Sequence, residues 1–206
     1  SAPGAEAFAL LFTFECFARS ILVSILPLDV LRLMGNASDV SLVFFIVGTF
    51  GVVSSFFIPM VIGFTARRVV YTGGLGMLIF APMLMSVGLI ETQLIGMVLR
   101  TIGVITITVC INLYALDYIA KHEFNRAEPM RLLYSAGAWV IGPAAGTYLY
   151  TYVSPAAAYF LASVCASCSL IFFWYLRLSD DKAIVAGKIK AKNPLNFLKR
   201  FMLQPR

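Results

Sequence analysis

A glutamate and an arginine four residues apart inside an apolar run are the first residues here with chemistry to offer. At that spacing Glu15 and Arg19 share one helix face and can pair. Asp29 and Arg32 follow near the far end of the same run, and Arg100 stands inside a later one. A charge at the centre of a membrane helix costs roughly 2.5–3.5 kcal/mol on insertion scales, so it usually faces a cavity or a partner. Apolar surroundings favour a neutral carboxyl, whereas a nearby arginine favours the carboxylate. Movement of Glu15 relative to Arg19 or Arg100 would therefore bind and release a proton. The competing reading is a static neutralised cluster that holds the bundle together. Asp29 beside Arg32 reads as an interfacial salt bridge rather than a substrate contact. Asn112, Tyr114 and Trp139 are candidate cavity residues, although amides and aromatics are also ordinary in helix bundles.

Other chemistries find little support. His122, the one histidine, sits in a charged loop. There is no Ser/His pair, carboxylate dyad or histidine cluster, so neither an enzyme, a metal site nor a cofactor is expected. Cys16, Cys110, Cys165 and Cys168 all fall inside apolar runs. Cys165 and Cys168 lack a second pair or a nearby His, which favours small apolar packing over metal or redox work.

The elements that position these residues must be membrane helices. The chain has 206 residues, 60% hydrophobic and 13% charged, with mean hydropathy +0.88. Soluble domains carry nearer ~25% charged residues. The apolar runs are continuous rather than ~10-residue alternating strands, which excludes a barrel in favour of helices. Each crossing needs ~20 residues. Six fit: 7–33, 40–64, 69–90, 94–120, 130–152 and 156–178. Pro27 is expected to kink the first, and Ser38 or Asp39 to cap the second. Glu91-Thr92-Gln93 reads as a tight turn, and Lys121 to Arg131 as the longest polar loop between spans. Gly48, Gly51, Ser54 and Ser55 read as a close-approach face on span two. Starting span one at Ala7 puts Glu15 about 12 Å from that end, and starting span four at Leu94 puts Arg100 about 9 Å from the opposite end. In a core ~30 Å thick the two differ by under ~10 Å in depth, so they can meet across a central cavity if their spans face each other.

The net charge of +6 flanks the spans. Arg67, Arg68, Lys121, Arg126 and Arg131 fall on one side together with the basic tail, and Arg32 alone on the other. The positive-inside rule then places both termini in the cytoplasm, and the basic excess meets anionic lipid rather than nucleic acid. Residues 1–178 thus form a transmembrane domain, and 179–206 a basic cytoplasmic linker. In that linker Asn193-Pro194 reads as a helix start, and Leu195, Phe197, Leu198, Phe201 and Met202 interleave with Lys199 and Arg200 as a short interfacial helix. Ser1, without an initiating Met or a cleavable signal segment, reads as a trimmed end.

Ala138, Gly142 and Gly146 recur every fourth residue as a small-residue column that lets another helix approach closely. Pro143 removes a backbone donor within it. This stretch, Ala138-x-x-x-Gly142-Pro143-x-x-Gly146, resembles the glycine–proline signature on the fifth span of major facilitator superfamily transporters, the drug:proton antiporter branch most closely. Gly63-Phe64-Thr65-Ala66-Arg67-Arg68 is similar to the family's loop between spans two and three, but lacks its Asp. Arg100 with Gly103 resembles the family's span-four arginine, and Asp117 with Arg126 its span-four exit and following loop.

The resemblance implies the amino-terminal six-helix half of such a transporter, in a bacterial inner (plasma) membrane. It would work by alternating access with a second six-helix half, either a covalent continuation or a separate chain. The glycine face of span five would act at or near their interface. The substrate would be a small amphiphile exchanged for protons, with Glu15, Arg19 and Arg100 as the coupling residues. The alternative is a transporter-derived structural subunit of a larger membrane complex, which the missing Asp beside Arg67 favours.

Overall fold

A computed structural model describes the backbone over residues 5–118 and 124–176, and side chains over 6–116 and 128–176. The side chains of Asp117 and Arg126, the segment 119–123 and the tail 179–206 with its expected interfacial helix lie outside the described residues. The described chain is all-helical: α1 (Ala5–Val23), α2 (Ile25–Met34), α3 (Ala37–Phe64), α4 (Arg67–Met85), α5 (Ile90–Tyr118), α6 (Phe124–Tyr152) and α7 (Pro155–Tyr175). Five stretches are long and apolar enough to cross a membrane: Glu6–Met34, Ala37–Phe64, Arg67–Met85, Ile90–Leu116 and Pro155–Tyr175. α6 has the length, 29 residues, but its Arg, Glu, Asn and glycine content makes it the least apolar helix.

Proline and capping chemistry set the boundaries. The kink expected at Pro27 appears three residues earlier, as a break at Ser24 between α1 and α2. The reason is that proline has no N–H to give the carbonyl four residues back, here Val23, and its ring crowds that carbonyl. α2 stops at Gly35, which takes a left-handed φ of 73° and sends its N–H to Leu31 O at 2.8 Å. The cap of α3 is Asn36 rather than Ser38 or Asp39, because Asn36 Oδ1 accepts from Ser38 N at 3.0 Å.

Two loop expectations shift. The turn after α4 falls at 86–89, where Gly88 takes φ 79°, so Glu91, Thr92 and Gln93 already belong to α5. The polar stretch up to Arg131 is helical from Phe124 onward, with Pro129 inside the helix. α7 opens at Ser154-Pro155, with Ser154 Oγ accepting from Ala157 N at 3.1 Å.

α1 packs along α6 and α7, α4 along α5 and α7, and α3 along α5. Between α1, α4, α5 and α7 lies one apolar core with Leu11, Tyr71, Leu75, Ile107, Tyr114 and Phe173 at its centre. A second, around Ile21, Leu22, Ile25, Val47, Met85 and Tyr159, fills the other end. Glycines permit the two tightest crossings. On α4 and α5 a Cβ at Gly103 would come within 2.9 Å of Gly74 O. On α6 a Cβ at Gly142 would overlap Ser20 Oγ, and one at Gly146 the carbonyl of Ile21. Gly51 of α3 likewise approaches Thr101, whereas Gly48 meets nothing.

The Ala138–Gly142–Gly146 column therefore seats α1 of this same chain. The resemblance sets this face at or near a contact with a second half, and within this chain its small residues pack on Ser20 and Ile21. Residues three and four apart line one face, and that face points inward here, while Val140 and Ile141 point outward. Gly146→Leu is expected to cost about 1–3 kcal/mol through overpacking against a carbonyl that cannot move aside. Gly137→Ala, where a Cβ meets nothing within 4 Å, is expected to leave stability unchanged or slightly raised. Thermal unfolding of both variants in one detergent checks the contrast.

Candidate functional site

Glu15 lies mid-way along α1 and is fully buried. Helix α4 brings Tyr71 opposite it, and the Tyr71 hydroxyl donates to Glu15 Oε1. Tyr71 is itself fixed by ring contacts with Phe173, 4.3 Å between centroids, and with Tyr114 at 6.3 Å. Glu15 Oε2 is enclosed without a hydrogen-bond partner. One carboxyl oxygen is thus anchored and the other is free to take a proton.

Arg19 does not close an ion pair with Glu15, although the spacing allows one; its charge reaches Glu15 at longer range, as does that of Arg131 from α6. Its guanidinium points to α5 and back along α1, with Nη1 donating to Thr108 Oγ1 at 3.4 Å and Nη2 to Cys16 Sγ at 3.5 Å. Arg100 does not meet Glu15 either. Its Nη2 donates to the backbone carbonyl of Arg19 at 2.9 Å. The reason is depth: Arg100 reaches α1 one turn beyond Glu15, about 6 Å farther along the axis. Arg131 donates to Asn112 Oδ1 at 2.9 Å and pairs with Glu128 at 2.7 Å. Phe12 lies beneath both cations, 5.6 Å from Arg19 and 4.7 Å from Arg131. The result is a strip of guanidiniums crossing α1, α5 and α6.

Asp29 and Arg32 do pair, at 2.7 Å. Asp29 is more than an interfacial residue, since only 1% of its side chain is exposed. It accepts from Tyr150 of α6 at 2.8 Å and from Tyr159 of α7 at 2.7 Å. Gln93 of α5 donates to the Tyr159 hydroxyl at 3.2 Å. One carboxylate therefore ties α2 to α6 and α7 directly, and to α5 through Tyr159.

The remaining sequence candidates scatter. Tyr114 is buried in the aromatic core rather than lining a cavity, whereas Asn112 is exposed and Trp139 is 45% exposed. At the start of α4, Arg67 lies over the Tyr114 ring at 5.3 Å and Arg68 over Trp174 at 3.9 Å. Gly63 is exposed near the end of α3. Pro143 lines a shallow outer groove with Ser24, Thr147 and Tyr148. Sequence reading missed Tyr71, Gln93, Tyr150 and Tyr159. The available signal was chemical: a buried carboxyl requires a donor, and tyrosine is the donor most at home in an apolar helix.

A sequence profile described as Major Facilitator Superfamily matches residues 8–205. No curated protein and no solved structure matched the chain.

Tyr159→Phe removes a donor from buried Asp29 and an acceptor from Gln93. A hydrogen bond to a charged group is worth about 1.5–3 kcal/mol, so a loss of that order is expected. Tyr150→Phe, at a less buried ring, is expected to lose less. Paired thermal melts of the two variants measure the difference.

Proposed function

Because this chain belongs to the major facilitator superfamily, a family of membrane transporters, we propose that it carries out proton-coupled transport of a small molecule by alternating access. The observation that carries this reading is Glu15: an acidic side chain wholly buried in a membrane-spanning helix, with one oxygen held by Tyr71 and the other unpartnered. A carboxyl that served only to neutralise Arg19 would sit in contact with it, and this one does not. Arg19 and Arg131 lie near enough for their charges to act on Glu15. A shift of α1 against α4 or α6 would change that balance and move a proton.

The sixth crossing is α6, whose polar and small residues suit a helix enclosed by protein better than one bathed in lipid. The charge distribution supports cytoplasmic termini. The similarity to the drug:proton antiporter branch supports efflux in exchange for protons in a bacterial inner membrane. A second six-helix half, continuous with this chain or separate from it, completes the path around a midplane site.

The test is proton movement. Protein reconstituted in vesicles with an internal pH-sensitive dye, and offered a panel of small amphiphiles under an imposed pH gradient, is expected to couple substrate flux to proton flux. Glu15→Gln is expected to abolish the coupled flux and still elute as a folded species on size exclusion. Undiminished coupled flux in that variant would sink the proposal.

A further inference from the structure

We propose that the half-buried strip formed by Arg19, Arg100 and Thr108, backed by Phe12, binds a small organic anion. This deepens the transporter reading and rests on it, because it names the class of substrate such a transporter would carry.

The first argument is charge. Arg32 is paired with Asp29, and Arg131 with Glu128. Arg19 and Arg100 have no carboxylate in contact, although both stand inside membrane-spanning helices. Arg100 lies against the backbone of Arg19, so the two cations are near neighbours. Glu15, one turn from Arg19, is fully enclosed, with one oxygen accepting from Tyr71. Cations at such depth ordinarily find a partner.

The second argument is donor supply. An arginine offers five N–H groups and no acceptor. Arg100 uses one on the Arg19 carbonyl, and Arg19 makes two long contacts, to Thr108 and Cys16. The buried Nε of each has no partner. Surplus donors in a planar fork suit a carboxylate or phosphate, which accepts two parallel bonds. A cationic amphiphile would instead meet two unneutralised guanidiniums, with the one nearby carboxyl shut behind a tyrosine.

The third argument is access. Arg19, Arg100 and Thr108 are each half-buried, in contrast to enclosed Glu15, so the strip is partly exposed at the ends of its side chains. Phe12 adds an apolar surface at 5.6 Å from Arg19 for the organic part of the ligand.

The experiment uses the purified full-length protein in detergent. Thermal unfolding is followed with benzoate, citrate and glycerol 3-phosphate, with tetraphenylphosphonium as the cationic probe, and with chloride matched for ionic strength. At least one organic anion is expected to raise the unfolding temperature saturably, and Arg19→Gln and Arg100→Gln are each expected to remove the effect. In the wild-type protein the same anion is expected to protect both arginines from phenylglyoxal, as located by mass spectrometry, a readout that needs no variant to fold. The proposal is overturned if tetraphenylphosphonium alone stabilises, if no anion does, or if the anion effect survives in both variants. The two readings separate in vesicles. Proton-driven flux of tetraphenylphosphonium sustains transport and overturns the anion site. Arginine-dependent anion binding without any proton-driven flux of that anion overturns transport and leaves the site standing.

Discussion

The bundle depends on how closely α1 can approach α6. In lipid no hydrophobic effect pulls two apolar helices together, so association rests on packing and on buried polar contacts. Gly142 and Gly146 provide both at once. Their missing side chains let α6 reach the backbone of α1, and Ser20 Oγ then donates to the Ala138 carbonyl at 2.9 Å. α1 also packs on α7 and carries Glu15, Arg19 and, through α2, Asp29. Every ionisable group of interest is thus held on or against a helix whose position a single small-residue column sets.

Within that frame the polar groups fall into two clusters of different character. The Asp29 cluster is nearly complete: the carboxylate has a cation and two hydroxyl donors, and it joins four helices. The Glu15–Arg19–Arg100 region leaves one carboxyl oxygen and two Nε groups without partners. Satisfied networks rigidify a fold, whereas partly satisfied ones carry a cost that a structural role alone does not justify. The satisfied and the unsatisfied cluster therefore lie at separate depths of the same first span.

Much of this was legible in the residues themselves. Apolar run length found the five stretches long and apolar enough to cross a membrane, and the four-residue spacing of Ala138, Gly142 and Gly146 identified a close-approach face. It did not say which helix fills it, since periodicity on one helix carries no information about its neighbour. The same gap hid the partners of Glu15 and Asp29: Tyr71 is 56 residues away from Glu15, and Tyr159 is 130 from Asp29. The expected Glu15–Arg19 pair illustrates the limit from the other side. Spacing put both on one face, but tertiary contacts with Tyr71 and Thr108 drew the two side chains apart. The helix boundaries at Ser24 and Asn36 lie a few residues from the expected ones, Pro27 for the kink and Ser38 or Asp39 for the cap. The physical effect of Pro27 falls on the preceding turn.

The break at Ser24 has a counterpart on the neighbouring helix. Pro27 leaves the carbonyl of Val23 without its helical donor, and Pro143 does the same for the carbonyl of Trp139. Ser24 and Pro143 line the same shallow groove, so both interruptions occur at one level of the bundle. Two adjacent rods weakened at a common height define a flexural plane. Below it lies the segment of α1 that bears Glu15 and Arg19; above it lies α2, fastened by Asp29 to its neighbours. A tilt of the lower segment against the upper one would therefore bend both rods at that shared level, as a door leaf turns on a hinge whose other plate is screwed to the frame.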